Sequence, residues 1–159
     1  MQEKVAVFPG SFDPFTVGHE SIVLRGLKLF DKIVVAVGQN TSKNNLFSFD
    51  QRMRMLQDIF QDEPRVEIVT FEGLTVDFCK KINAKFILRG LRTSADFEFE
   101  RAIGQVNKML NNELETVFLL TSTNHTPITS TIVREIIKNE GDVSQLVPTA
   151  LDIKKYLKE

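Results

Sequence analysis

The segment Phe8-Pro9-Gly10-Ser11-Phe12-Asp13-Pro14-Phe15-Thr16-Val17-Gly18-His19 joins a short apolar run to a helical pattern, and its prolines and glycines make it a built turn. Gly10 permits close main-chain approach to a ligand, and Ser11 brings a hydroxyl. The helix start that follows supplies unpaired N–H groups and a positive dipole end. Together these groups suit a phosphate. His19 stands at that helix start; alone, such a histidine packs or caps, and its company is what turns it into a candidate functional residue beside a phosphate.

Three further stretches carry comparable chemistry. Gln39 to Asn45 is a polar loop with one cation, Lys43, which reads either as a phosphate ligand or as an ordinary exposed loop lysine. Arg89-Gly90-Leu91-Arg92 sets two guanidiniums around a glycine where an apolar strand leaves the core. Such groups fork around phosphate oxygens, and the glycine would let the main chain near the same anion. The plainer outcome is that both arginines pair with Asp96, Glu98 or Glu100 on the next helix, pairs that can also orient a ligand-binding arginine. Thr121 to Arg134 runs through a hydroxyl-rich loop into a helix, where Thr129, Ser130 and Thr131 make a second phosphate cradle, one of them serving as N-cap. His125 lies in this loop and is less diagnostic, reading equally as a wall for an adenine or as a residue without a role. A G-x-x-x-x-G-K-[ST] loop and a strand-following G-x-G-x-x-G are both missing from the sequence, which demotes a P-loop kinase and a dinucleotide dehydrogenase. With two histidines and one cysteine far apart, a protein metal cage is not expected. Any metal should arrive with a nucleotide.

These stretches need a scaffold that gathers them. Short, mostly apolar runs at Val5 to Phe8, Ile33 to Val37, Val66 to Phe71, Phe86 to Leu88 and Val117 to Leu120 read as strands covered on both faces. Helical stripes lie between them: Ile22, Val23, Leu27 and Phe30; Met53, Leu56, Ile59 and Phe60; Val76, Cys79 and Ile82; Phe99, Ala102, Ile103, Val106 and Leu110. Each is expected to lie on the sheet. Ser48 with Gln51 reads as a capping box, Gly141 closes a helix built on Ile132, Val133, Ile136 and Ile137, and a last helix follows Pro148. Strands alternating with helices imply an α/β fold, a Rossmann-like doubly wound five-stranded parallel sheet with helices on both faces. Ligands then bind beyond the carboxyl ends of the strands, where strand order reverses.

Bulk properties set the bounds. The 159 residues fit a single domain spanning 1–159. A chain 42% hydrophobic and 26% charged, with net charge -1, is neither a disordered tail nor a polycation, so no nucleic-acid partner is expected. A lone cysteine, Cys79, fits a reducing compartment. No signal-type stretch and no run of about 18 apolar residues is seen, so the expectation is a cytoplasmic protein without a membrane partner.

The T-x-G-H motif at Thr16 to His19, the Arg89 to Arg92 run followed by Ala95-Asp96-Phe97-Glu98, and Ile128-Thr129-Ser130-Thr131 together resemble the bacterial phosphopantetheine adenylyltransferase family over essentially the whole chain, including the Ser42-Lys43 loop. The first motif is shared by the wider nucleotidyltransferase superfamily; the R-G-L-R and A-D-F-E runs point to the acceptor. The resemblance implies reversible adenylyl transfer from ATP to 4'-phosphopantetheine, giving dephospho-coenzyme A and pyrophosphate in coenzyme A biosynthesis. It implies that His19 stabilises the triphosphate during transfer, that Ser11, Lys43 and Arg89 hold the acceptor phosphate, and that Thr75 touches pantetheine. ATP would be held by Ser11, Phe12, His19, Gly90, Leu91, Arg92, Glu100, His125, Thr126, Pro127, Ile128, Thr129, Ser130 and Thr131. Mg2+ carried with ATP, a homohexamer built from trimers and feedback by coenzyme A are further implications. The chain departs from the family pattern at Ser11, where threonine is commoner, at Thr131, where serine is usual, at Gly73, often acidic, and in the His125 loop, which usually contains tryptophan. Rival readings are a transferase acting on nicotinamide mononucleotide or glycerol phosphate, and a nucleotide-binding regulatory module without turnover.

Overall fold

The computed structural model describes residues 1–39 and 44–159. Its sheet is built from β1 (Val5–Gly10), β2 (Lys32–Gly38), β3 (Val66–Phe71), β4 (Phe86–Leu91) and β5 (Glu115–Leu120). All pairs are parallel, in the order β3-β2-β1-β4-β5. Around it lie α1 (Val17–Gly26), α2 (Phe49–Phe60), α3 (Thr75–Lys81), α4 (Ser94–Leu110), α5 (Ser130–Lys138) and α6 (Ile153–Leu157).

The apolar runs become strands because successive side chains enter different layers. Ala6, Phe8, Ile33, Val35 and Val37 pack with Ile22 and Val23 of α1 and Leu56 and Phe60 of α2. Val7, Val34, Ala36 and Ile87 pack with Val76 and Cys79 of α3. A third cluster joins Phe47 and Met55 to Val133 of α5 and to Val143, Val147, Leu151, Ile153 and Tyr156, so the carboxyl-terminal segment straps α2.

Strand order reverses between β1 and β4. Here the ladder holds only at Ala6–Phe86 and Val7–Ile87, whereas β1 and β2 stay paired from Val5 to Gly10. The central strand β1 and its neighbour β4 thus part toward their carboxyl ends, opening the crevice that an open α/β sheet uses for ligands.

Several sequence expectations need correction. β1 and β4 outrun the apolar runs, so Pro9, Gly10, Arg89 and Gly90 lie within strands and not after them. α1 stops at Gly26, and Leu27 and Phe30 are buried in the turn beyond it. The α4 stripe does not lie on the sheet: this 17-residue helix buries no residue fully, and Phe99 and Val106 are 68% and 52% exposed. At the end of α5 the left-handed residue is Glu140, not Gly141.

Candidate active site

The crevice holds two recesses that share a wall. One, of about 360 Å³, is bounded by β1, by Gly18, His19 and Ile22 of α1, by Gly90 and Arg92, and by Ile128 to Thr131 at the start of α5. The other, of about 530 Å³, is bounded by Gly38 at the end of β2 and Gln39 after it, Phe71, Gly73 and Thr75 before and in α3, and Ile103, Gly104 and Asn107 of α4. Pro9, Gly10, Ser11, Arg89 and Glu100 line both.

His19 is set by its own helix start. Thr16 is the N-cap of α1; its hydroxyl accepts from the His19 N–H at 3.3 Å, and its N–H donates to His19 Nδ1 at 3.0 Å. Histidine here takes the place that Glu or Gln fills in an ordinary capping box. Phe12 and Phe15 pack against the ring at centroid distances of 5.2 Å each, Phe12 edge-on. Burial, reinforced by the Arg89 and Arg92 guanidiniums, pushes its pKa down to about 4. The ring is therefore neutral near pH 7. Because Nδ1 accepts from the Thr16 N–H, the proton sits on Nε2, leaving a fixed donor.

Arg89 donates through Nε and Nη2 to the two Glu100 oxygens at 3.0 and 2.5 Å, and through Nη1 to Pro9 O at 2.8 Å across the parted strands. Three of its N–H groups are occupied, which leaves two of the five that a guanidinium carries for a ligand. Arg92 pairs with Asp96 at 3.2 Å. Both arginines thus take carboxylate partners, and both still line the first recess. Gly90 has a packing role that sequence reading did not assign: a Cβ there would stand 3.0 Å from Ile22 Cγ1, so the glycine lets α1 lie close to β4.

At the start of α5 each hydroxyl has a chain partner. Thr129 is the N-cap and accepts from Ile132 N–H, Ser130 donates to Pro14 O at 2.8 Å, and Thr131 accepts from Arg134 Nη2. Ser130 has spent its only hydroxyl proton, whereas the Thr129 and Thr131 protons remain available to an anion. Among the described residues, no three His, Cys, Asp or Glu side chains gather as a metal cluster. No described helix is long and apolar enough to cross a membrane.

The profile of the Cytidylyltransferase-like family matches residues 7–136. Among similar curated proteins, the phosphopantetheine adenylyltransferase of Flavobacterium johnsoniae is 52% identical over 96% of this chain and 99% of the relative. That of Flavobacterium psychrophilum is 52% identical over 95% and 99%, and that of Geotalea daltonii 44% over 99% and 96%. The chain belongs to the phosphopantetheine adenylyltransferase family. Likeness of fold extends further, to two solved structures of a bifunctional NMN adenylyltransferase/ADP ribose pyrophosphatase from Francisella tularensis. One, complexed with AMP and a manganese ion, has a TM-score of 0.68 at 19% identity, and the other 0.73 at 20%. They cover 92% and 99% of this chain, which spans 44% and 49% of theirs.

Within this member of the family, the residues singled out from sequence distribute over the crevice unevenly. Ser11, Phe12, His19, Arg89, Gly90, Arg92, Glu100 and Ile128 to Thr131 line the first recess. Thr75 lines the second, with Ser11, Arg89 and Glu100 reaching both. Leu91 is buried at the end of β4 and lines neither, and His125, Thr126 and Pro127 stand outside both walls. His125 closes a short 3-10 turn, Thr123–His125, that periodicity did not foretell, and its Nδ1 is buried without a partner among the described residues. Lys43 lies outside the described residues.

Sequence reading overlooked the fastenings of the first loop. Asp13, 3% exposed, accepts from the Leu46 and Phe47 N–H groups, and Arg134 Nη1 donates to Asp13 O. Arg52, also 3% exposed, donates to Phe47 O and, at 2.6 Å, to Ser11 O. A signal for Arg52 was present: it sits on the buried face of α2 one turn before Met55 and Leu56, a charge in an apolar stripe.

Proposed function

We propose that this chain moves the adenylyl group of ATP onto 4'-phosphopantetheine, reversibly, giving dephospho-coenzyme A and pyrophosphate. The observation that carries this reading is the shared wall: a nucleotide in the His19 recess and a phosphate monoester in the Thr75 recess would meet at Ser11 and Arg89. The acceptor brings its own nucleophile. A phosphate oxygen attacks the α-phosphorus, a new P–O bond forms as the bond to the leaving oxygen breaks, and the electron pair departs with pyrophosphate. No covalent enzyme intermediate is required.

Catalysis then consists of alignment and of donors for developing charge. Holding two reactants in line can supply about 7 to 11 kcal/mol. The His19 Nε2–H and the available protons of Thr129 and Thr131 would favour negative charge on the α-phosphate and the leaving pyrophosphate. Arg89, with Ser11 and Lys43, would hold the acceptor phosphate. Arg92 and the 125–131 segment would flank the nucleotide. Magnesium enters with ATP as part of that substrate; Asp96 and Glu100 are already engaged by arginines, so phosphates and water would supply its oxygen ligands.

The exposed apolar face of α4 supports self-association, and a homohexamer is the form proposed. A cytoplasmic setting and feedback by coenzyme A, which carries the same pantetheine and adenylyl groups as the product, complete the proposal. The test is incubation with MgATP and 4'-phosphopantetheine, nicotinamide mononucleotide or glycerol phosphate in parallel, with mass detection of products. Dephospho-coenzyme A as the dominant product is expected; adduct formation with another acceptor, or nucleotide binding without pyrophosphate release, would overturn the assignment.

A further inference from the structure

The loop between β1 and α1 is held by its carbonyls. Ser11 O accepts from Arg52 Nη1 at 2.6 Å, Asp13 O from Arg134 Nη1 at 2.8 Å and Pro14 O from the Ser130 hydroxyl at 2.8 Å. Carbonyl oxygens are the negative ends of peptide dipoles, and next to a polyphosphate they would repel it. Ser11 and Phe12 line the nucleotide recess, whereas Arg52 lines neither recess. The Ser11–Phe12 peptide is trans, so its N–H is antiparallel to its carbonyl. Among the described residues the Phe12 N–H has no acceptor. Phe12 also adopts φ 48° with its ring buried, a left-handed conformation that a bulky side chain keeps only where the surroundings enforce it.

We infer that Arg52 is a positioning residue: by holding Ser11 O away from the nucleotide recess it turns the Phe12 N–H toward the phosphates and maintains the strained backbone at Phe12. Arg52 is costly to bury at 3% exposure; the charge of the buried Asp13 carboxylate offsets part of that cost, and its directed bonds go to Phe47 O and to this carbonyl, whereas an apolar residue would serve packing alone better. The inference rests on the nucleotide reading of that recess.

The first measurement uses the unaltered protein, labelled with 15N at phenylalanine and titrated with sodium pyrophosphate and then MgATP. The Phe12 amide resonance should shift on binding of either. Binding with an unmoved Phe12 amide overturns this inference alone, and binding of neither compound overturns the nucleotide reading with it. The second compares Arg52→Lys and Arg52→Gln with Ser48→Ala, which removes the cap of the same helix and touches no recess. Ser48→Ala should lower Tm by about 3 °C and leave kcat within about twofold. Arg52 variants that fold should lose about tenfold or more in kcat and lose the pyrophosphate-dependent shift at Phe12, as expected for a displaced transition-state donor. Folded Arg52 variants that keep kcat and that shift would show a merely structural arginine and overturn the inference.

Discussion

At the scale of the residue, His19 serves a helix, and the proposed reaction would use the same side chain. Its Nδ1 completes the cap of α1, and this bond is what commits the proton to Nε2. The outcome expected in long-range 1H–15N spectra at neutral pH is an Nε2–H tautomer, with the ring titrating near 4. Stability should follow from the same shift. The unfolded chain takes up a proton at His19 below 6.5 and the folded protein only near 4, so the contribution is intact above 6.5 and is lost as pH falls toward 4. The full difference amounts to about 3 kcal/mol, and urea unfolding of His19→Gln, which keeps a capping-box acceptor but does not titrate, should lack that part of the acid slope. Turnover separates from stability in the same variants. His19→Ala should lower kcat by about 100-fold or more through loss of one donor, with the protein still folded by circular dichroism.

Among the elements, α5 carries a termination that invites a direct test. Glu140 occupies the left-handed position at φ 59°, its N–H donating to Ile137 O at 2.9 Å, while the Gly141 N–H donates to Ile136 O at 2.8 Å. This is a Schellman ending with its usual glycine place taken by glutamate. Glu140→Gly should therefore raise stability by about 0.5–1 kcal/mol, read as a higher urea midpoint with unchanged m. Gly141→Ala should do the opposite, because a Cβ there would lie 2.5 Å from Ile136 Cγ2. The sequence announced that the helix ends here but not which residue bears the turn, since Asn139, Glu140 and Gly141 differ by one step and only hydrogen bonding selects among them. The same distinction runs through the fold. Strand and helix identity, and the capping box at Ser48 and Gln51, were legible because they depend on neighbours in sequence. The Arg52 bond to Ser11 O spans 41 residues and the Arg134 bond to Asp13 O spans 121, and no periodicity encodes such partners. The runs Thr16 to His19 and Arg89 to Arg92 could be singled out for a related reason: each is short and contiguous, and the structure brings both to one recess. Sequence could single out Arg89 and offer Asp96, Glu98 or Glu100 as its partner, but it neither selected Glu100 nor revealed the bond to Pro9 O.

For the whole molecule, the two faces of α4 set the terms. Glu100, Ile103, Gly104 and Asn107 recur at helical spacing along the wall of the larger recess, while Phe99, Val106, Met109 and Leu110 face outward at 68%, 52%, 85% and 51% exposure. An apolar row of that length left in water is unfavourable by about 25 cal/mol per Å², so burying it against another copy of the chain would favour assembly. The same burial would fix the helix that bounds the proposed acceptor site. Sedimentation velocity should accordingly show wild-type protein as an assembly larger than a monomer, and Val106→Glu should shift it toward smaller species by setting a charge in the apolar row. If the wall depends on that contact, the dissociated variant should raise KM for 4'-phosphopantetheine by about tenfold while KM for ATP stays within about twofold, because α4 supplies only Asp96 and Glu100 to the His19 recess. A variant that dissociates with both constants unchanged would separate assembly from the site, leaving the outward face of α4 a matter of solubility alone.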